Sequence, residues 1–185
     1  EQIGESFFER NKSNQFTNNF SKKLNLNKDI ISFFTSSEDE FASLDPRIKL
    51  SDIFVSQRTA FEWLASWAGS QSKYTLVVRL HPNQENTCSK DYSYWHNHSC
   101  KNVKIIPSHS SVDSYDLITR SSKVISFLST IGIEATRFGI PSIILGNPMY
   151  KGLNAVYEPT STDQLTNLLN NNIEPKNKKN TTPYG

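Results

Sequence analysis

The stretch Lys123-Val124-Ile125-Ser126-Phe127-Leu128-Ser129-Thr130-Ile131-Gly132-Ile133-Glu134-Ala135-Thr136-Arg137-Phe138-Gly139-Ile140-Pro141-Ser142-Ile143-Ile144-Leu145-Gly146 decides the fold. Lys123 to Leu128 is a short apolar run, as a strand buried on both faces requires. Small hydroxyl residues follow, then Ile131 to Phe138 at helical spacing, and Gly139 to Pro141 end the helix before a second apolar run, Ser142 to Leu145. Strand, helix and strand in about twenty-five residues form a βαβ unit, whose two strands must lie parallel.

The same alternation extends upstream. Ile30 to Phe34 is a strand, Ser56 to Ser70 a helix with Phe61, Leu64, Ala65 and Ala68 on one face, and Tyr74 to Leu80 a strand stopped by His81-Pro82. Val103 to Ile106 is another strand, and a helix runs from Asp113, a natural N-cap, to about Ser121. Downstream, Thr162 to Asn170 is a last helix. These elements predict an α/β fold with a doubly wound, Rossmann-like parallel sheet over residues 28–172. Residues 1–27, with Phe7, Phe8, Phe16, Phe20 and Leu24, predict a helical arm or linker, and 173–185 a flexible tail.

Composition bounds the rest. The 185 residues suit one domain, and 36% hydrophobic with 21% charged residues is globular rather than disordered. Twenty basic against eighteen acidic residues give a net charge of +2, and the basic residues are scattered, so no nucleic-acid footprint is present. No apolar run approaches the ~20 residues of a membrane helix. Two cysteines make no disulfide scaffold, and the lack of a leader pattern points to the cytoplasm. The chain opens on Glu1, which suggests a piece of a longer protein.

A doubly wound sheet binds ligands beyond the carboxyl ends of its strands. That rule selects Thr35 to Glu40, His81 to Asn83, Ser108 to Asp113, Ser129 to Glu134 and Asn147 to Gly152. The fourth is the strongest candidate. A strand that runs through Ser129 and Thr130 into a helix leaves N–H groups and a dipole end for a phosphate, and Glu134 stands one turn further on the same face. Either hydroxyl could instead simply cap the helix, with Glu134 favouring its dipole. In the second loop, alternation puts Arg79 and His81 on one side of their strand, a cation and an imidazole suited to a diphosphate. Ser36, Ser37, Ser108, His109, Ser110 and Tyr150 are candidate rim residues.

Two other chemistries are weak. Cys88, His96, His98 and Cys100 could be drawn as a zinc set, but the paired cysteine spacing of structural zinc sites is missing. The stretch from Asn83 to Asn102 therefore reads as an inserted polar surface loop, and no metal is expected. Hydrolase chemistry through His109, Ser110 and Asp113 lacks a Gly-x-Ser-x-Gly elbow.

In order and spacing, Arg79-Leu80-His81-Pro82-Asn83, Ser114-Tyr115-Asp116-Leu117-Ile118, Ser129-Thr130-Ile131-Gly132-Ile133-Glu134-Ala135, Gly139-Ile140-Pro141, and Gly146 with Tyr150 resemble the C-terminal half of GT-B glycosyltransferases. The likeness is to the capsule-polysaccharide and surface-carbohydrate group, which includes Kdo transferases, and it is similar in motif logic to bacterial sialyltransferases. It covers about residues 28–172. The resemblance implies a domain that holds a nucleotide sugar, favouring CMP-Kdo or another CMP-sugar. By the same resemblance, His81-Pro82 would contact nucleotide and phosphate, Ser129-Thr130 with Gly132 the phosphate, and Glu134 the ribose hydroxyls, with His81 a possible acid. The base that activates a glycan or lipid-linked acceptor would lie in an N-terminal domain, so this chain alone would not turn over. No cofactor is implied beyond the nucleotide-sugar substrate, and the place implied is cytoplasmic, with the inner face of the membrane as a peripheral option. A nucleotide-sugar epimerase, a polyol-phosphate transferase of the teichoic-acid type, or a non-catalytic scaffold would use the same fold.

Overall fold

The computed structural model describes residues 29–37, 49–83, 93–95, 98 and 101–184. Five strands form one sheet: β1 (Asp29–Phe34), β2 (Tyr74–Arg79), β3 (Val103–Ile106), β4 (Ser121–Ser126) and β5 (Ser142–Ile144). Their order is β3-β2-β1-β4-β5, and every pairing is parallel. The helices are α1 (Gln57–Gly69), α2 (Ser114–Arg120), α3 (Ile131–Arg137) and α4 (Thr162–Asn170), followed by a 3-10 helix, Lys178–Tyr184.

The two-residue alternation of a strand sends successive side chains to opposite faces, and here both faces are apolar. From β1, Ile31 and Phe33 join Phe61 and Leu64 of α1 and Leu165 and Leu169 of α4. Ile30 and Phe34 join Leu117 and Ile118 of α2 and Ala135 of α3. The sheet is thus covered on both sides, as expected of a doubly wound fold. Burial of side chains of this size is worth roughly 1.5–3 kcal/mol each, so these two layers carry most of the folding energy.

Local signals place the helix ends. Ser56 accepts from the Thr59 N–H, while the Thr59 hydroxyl accepts from the Ser56 N–H, a reciprocal cap at the start of α1. Asp113 accepts from the N–H groups of Tyr115 and Asp116 at the start of α2. β4 begins two residues earlier than the apolar run suggests. The Ser121 hydroxyl donates to the Leu117 carbonyl and lies within hydrogen-bond distance of the Ser32 hydroxyl, so a polar residue is satisfied in a buried strand.

Two expectations need correction. The inserted stretch is no mere polar loop, because Trp95 is only 2% exposed and its ring lies 5.1 Å from that of Phe61, in the core. Residues 173–184 are docked rather than a flexible tail: Ile173 packs on the core, and Arg137 of α3 donates to the hydroxyl and carbonyl of the buried Thr181. The expected arm at 1–27 lies outside the described residues, as do Cys88, His96 and Cys100.

Candidate functional site

β1 and β4 are neighbours, but the chain leaves them toward opposite sides of the sheet, to β2 from β1 and to β5 from β4. The loops that diverge from such a switch point open a crevice beyond the strand ends. Here they are Thr35 to Ser37 and Phe127 to Thr130.

Hydrogen bonds tie three loops together at this point. The Thr35 hydroxyl accepts from the His81 N–H at 2.8 Å, which fixes the loop after β2 against the loop after β1. The Ser36 hydroxyl accepts from the Leu128 N–H at 3.2 Å, which fixes the loop after β1 against the one after β4. The Gln57 side chain, at the first position of α1, accepts from the Ser36 N–H at 2.6 Å and donates to its carbonyl at 3.2 Å. Ser36 and Ser37 are both buried, so the two expected rim serines are interior residues. They meet no open surface, and Ser36 instead orders the crevice wall.

The Ser129-Thr130 turn is built from its own acceptors. The Ser129 hydroxyl accepts from the Ile131 N–H and its carbonyl from the Gly132 N–H, while the Thr130 carbonyl accepts from Ile133 and Glu134. The N–H groups of Ser129 and Thr130 are left without an acceptor among the described residues. Thr130 is already helical, with φ −60° and ψ −22°, and its side chain makes no cap. The simple capping reading is met only through Ser129, and the exposed Thr130 hydroxyl remains free to face a ligand.

Gly132 and Tyr150 explain each other. A Cβ on Gly132 would collide with the Tyr150 and Ser126 hydroxyls, so the glycine is required for packing at α3. Tyr150 is wholly buried, and its hydroxyl donates to the Ser129 carbonyl at 2.6 Å. It cannot stack on a base, as a rim residue would, and it acts from below the turn.

Arg79 also differs from expectation. It is 6% exposed and spends its guanidinium on carbonyls, Nη1 on those of Pro107 and, at 3.4 Å, Ser108, and Nη2 on that of Ser110 at 3.3 Å. Burial lowers its pKa, against an opposing effect of Asp113. Arg79 is a strut for the loop at 107–110 rather than an open phosphate ligand. In that loop Ser108 is buried, the Ser110 hydroxyl accepts from the Val112 N–H, and His109 alone of the three is exposed. His81 is half-buried and its Nδ1 accepts from the Asn83 N–H at 3.2 Å, so neutral His81 carries its proton on Nε2. Pro82 is exposed at the strand's end.

Glu134 sits in the first turn of α3 with Oε2 buried and unpartnered. Across from it on α2 stands Tyr115, whose hydroxyl is pushed up to about 12 by burial first and by the Glu134 carboxylate second. Phenol and carboxylate therefore interact beside the turn. The fifth loop is different in kind: Lys151 pairs with Asp52 and with the Asn147 side chain, and the Lys151 pairing is the largest cause lowering the Asp52 pKa. Its cation is already spent. Among the described residues, no His, Cys, Asp and Glu side chains gather as metal ligands, and no helix is long and apolar enough to cross a membrane.

Sequence reasoning missed Gln57. A Gln opening an amphipathic helix has no periodic or motif signature, and only its placement against the loop after β1 gives it a role.

The sequence model of a family described as "Capsule polysaccharide biosynthesis protein" matches residues 39–173. Among curated protein sequences, none matches. Solved structures give likenesses at low identity. The wall teichoic acid polymerase TagF, H548A, aligns at 14% identity and TM-score 0.51, covering 96% of this chain and 42% of that one. The Thermosulfurimonas dismutans KpsC, a beta Kdo 2,7 transferase, aligns at 23% identity and TM-score 0.46, covering 74% and 39%. The UDP-GlcNAc 2-epimerase from Neisseria meningitidis, bound to UDP-GlcNAc, aligns at 13% identity and TM-score 0.48, covering 94% and 40%. This chain thus spans about two fifths of the length of each of these structures. At 0.51 the TagF likeness shows the fold, the Rossmann-like sheet expected for one half of a GT-B architecture.

Proposed function

We propose, from the premise that this chain belongs to the capsule polysaccharide biosynthesis protein family, that it is the nucleotide-sugar-binding domain of a glycosyltransferase building a surface polysaccharide. The observation that supports this most is the hydrogen-bonded convergence of three loops at the switch point: Thr35 on His81, and Ser36 on Leu128. Convergence matters because each motif alone would be weak, whereas a phosphate needs donors from several segments held at fixed spacing.

The donor's phosphate sits on the free N–H groups of Ser129 and Thr130, with the Thr130 hydroxyl as an added donor. His81 Nε2 faces the leaving phosphate, as a hydrogen-bond donor or, when protonated, as an acid. The Glu134 carboxylate, in the first turn of α3, accepts from the ribose hydroxyls. The pairing of His81-Pro82 with Ser129-Thr130 favours a CMP-sugar, CMP-Kdo above others. The acceptor, a glycan or a lipid-linked sugar, is activated by a base outside these residues, so this domain binds its donor but does not transfer it alone.

Titration calorimetry with CMP, CDP and UDP tests the reading. CMP is expected to bind most tightly. Thr130→Pro fits the observed φ of −60°, removes one free N–H together with the hydroxyl, and is expected to weaken CMP about tenfold or more; His81→Ala is expected to cost about tenfold as well. A preference for CDP would move the domain to polyol-phosphate transfer and one for UDP to epimerisation. Absence of binding to all three would leave a scaffold.

A further inference from the structure

The turn that offers its N–H groups to a ligand has no side-chain cap at Thr130 and no metal cluster among the described residues to hold it. Something must fix it relative to β1, and the residues that do so are buried. Gln57 is 3% exposed and grips the Ser36 backbone with both atoms of its amide, accepting at 2.6 Å and donating at 3.2 Å. Ser36 lies just past the end of β1, and removing the Gln57 amide from these two backbone groups in the interior would cost free energy. Ser36, so fixed, presents its hydroxyl to the Leu128 N–H. Leu128 immediately precedes Ser129 and Thr130, and on its other side the turn is tied by the Tyr150 hydroxyl to the Ser129 carbonyl.

We infer that Gln57 and Ser36 are positioning residues for the Ser129-Thr130 turn, passing the placement of α1 through two hydrogen-bonded steps to the ligand-facing N–H groups. Neither side chain faces the crevice, so neither is a catalytic residue. The inference deepens the proposed phosphate site and takes its consequence for binding from that reading, while the placement of the turn is testable without it.

The experiment compares the full chain with Gln57→Met, which keeps length and burial but removes both amide bonds, and with Ser36→Ala, which removes only the hydroxyl. Amide hydrogen exchange and chemical shifts are read by NMR. In both variants the Leu128 amide is expected to exchange at least about tenfold faster, and the Ser129 and Thr130 amide resonances to shift. The Val124 amide in β4, bonded to the Pro141 carbonyl at 2.9 Å, is the control and is expected to hold. Each variant is then titrated with CMP and with cytidine. CMP affinity is expected to fall about tenfold and cytidine affinity less than twofold, because only the phosphate feels the turn.

Unchanged Leu128 exchange with unmoved Ser129 and Thr130 resonances in the folded variants would overturn the inference, as would equal losses for CMP and cytidine. If Gln57→Met fails to fold, Ser36→Ala decides alone. A wild-type protein that ignores CMP would remove the nucleotide reading, and the exchange result would still decide the positioning role.

Discussion

The two ends of β4 treat polar groups in opposite ways. Near its start, Lys123 is 3% exposed, yet its Nζ donates to the Leu169 carbonyl at 2.8 Å and lies 5.2 Å from the Tyr74 ring. Tyr74 in turn stacks on Trp67, whose indole N–H donates to the Asn170 side chain at 3.1 Å. That end is closed, with its charge on one of the last carbonyls of α4. Beyond the other end, the turn at Ser129-Thr130 makes no closure of this kind and, among the described residues, leaves two N–H groups and a hydroxyl without a partner. A polar group closed off inside a fold must find its partners there, which limits the cost of burying it, whereas donors kept ready for a ligand contribute nothing until it arrives.

Three substitutions test that contrast. The largest effect is expected at the open end, where a Cβ on Gly146 would overlap the Phe127 carbonyl, a backbone group with little room to move. Gly146→Ala should cost about 3 kcal/mol or more, read by urea unfolding; a loss below about 1 kcal/mol would show that the β4 and β5 ends are not packed this tightly.

The next concerns the closed end. Burial first, and the Lys73 charge second, bring Lys123 down to about 8, against a weaker opposing pull from Asp29. The charged form is therefore disfavoured by folding. The cost is fully present below pH 8 and is relieved as pH rises from about 8 toward the ordinary lysine value of 10.5. Relative to Lys123→Met, the wild type should gain stability on the order of 1–2 kcal/mol between about pH 7 and pH 10. Parallel stability curves for the two proteins would mean that the ammonium is well solvated.

The smallest effect is expected beneath the turn. Tyr150→Phe keeps the buried ring and removes the hydroxyl, with its 2.6 Å bond to the Ser129 carbonyl and its 3.5 Å contact with the Ser126 hydroxyl, so it should cost about 1 kcal/mol by thermal unfolding. A neutral result would mean that the Ser129 carbonyl is satisfied by the Gly132 N–H alone.

Much of the fold was legible in the sequence. Short apolar runs bounded by turn residues located all five strands to within two residues at each end, and Asp113 marked a helix start as its cap. The candidate loops followed from topology, since a doubly wound sheet places its ligand side before any side chain is seen. The residues within those loops were less legible. Arg79 and Tyr150 have the right chemistry for a nucleotide site, but an arginine that binds carbonyls and a tyrosine that fills a hollow beside a glycine look the same in sequence as ones that bind a ligand.

The alternation of buried strands and amphipathic helices was settled within the sequence, because hydrophobic period and capping chemistry act over a few residues and need no distant partner. Tertiary structure decided which polar groups are spent and which are free. Ser36 meets Gln57 across 21 residues and Leu128 across 92, and Arg79 reaches carbonyls 28 to 31 residues away. Hydrogen bonds at such separations depend on how the sheet brings strand ends together, which no local pattern records.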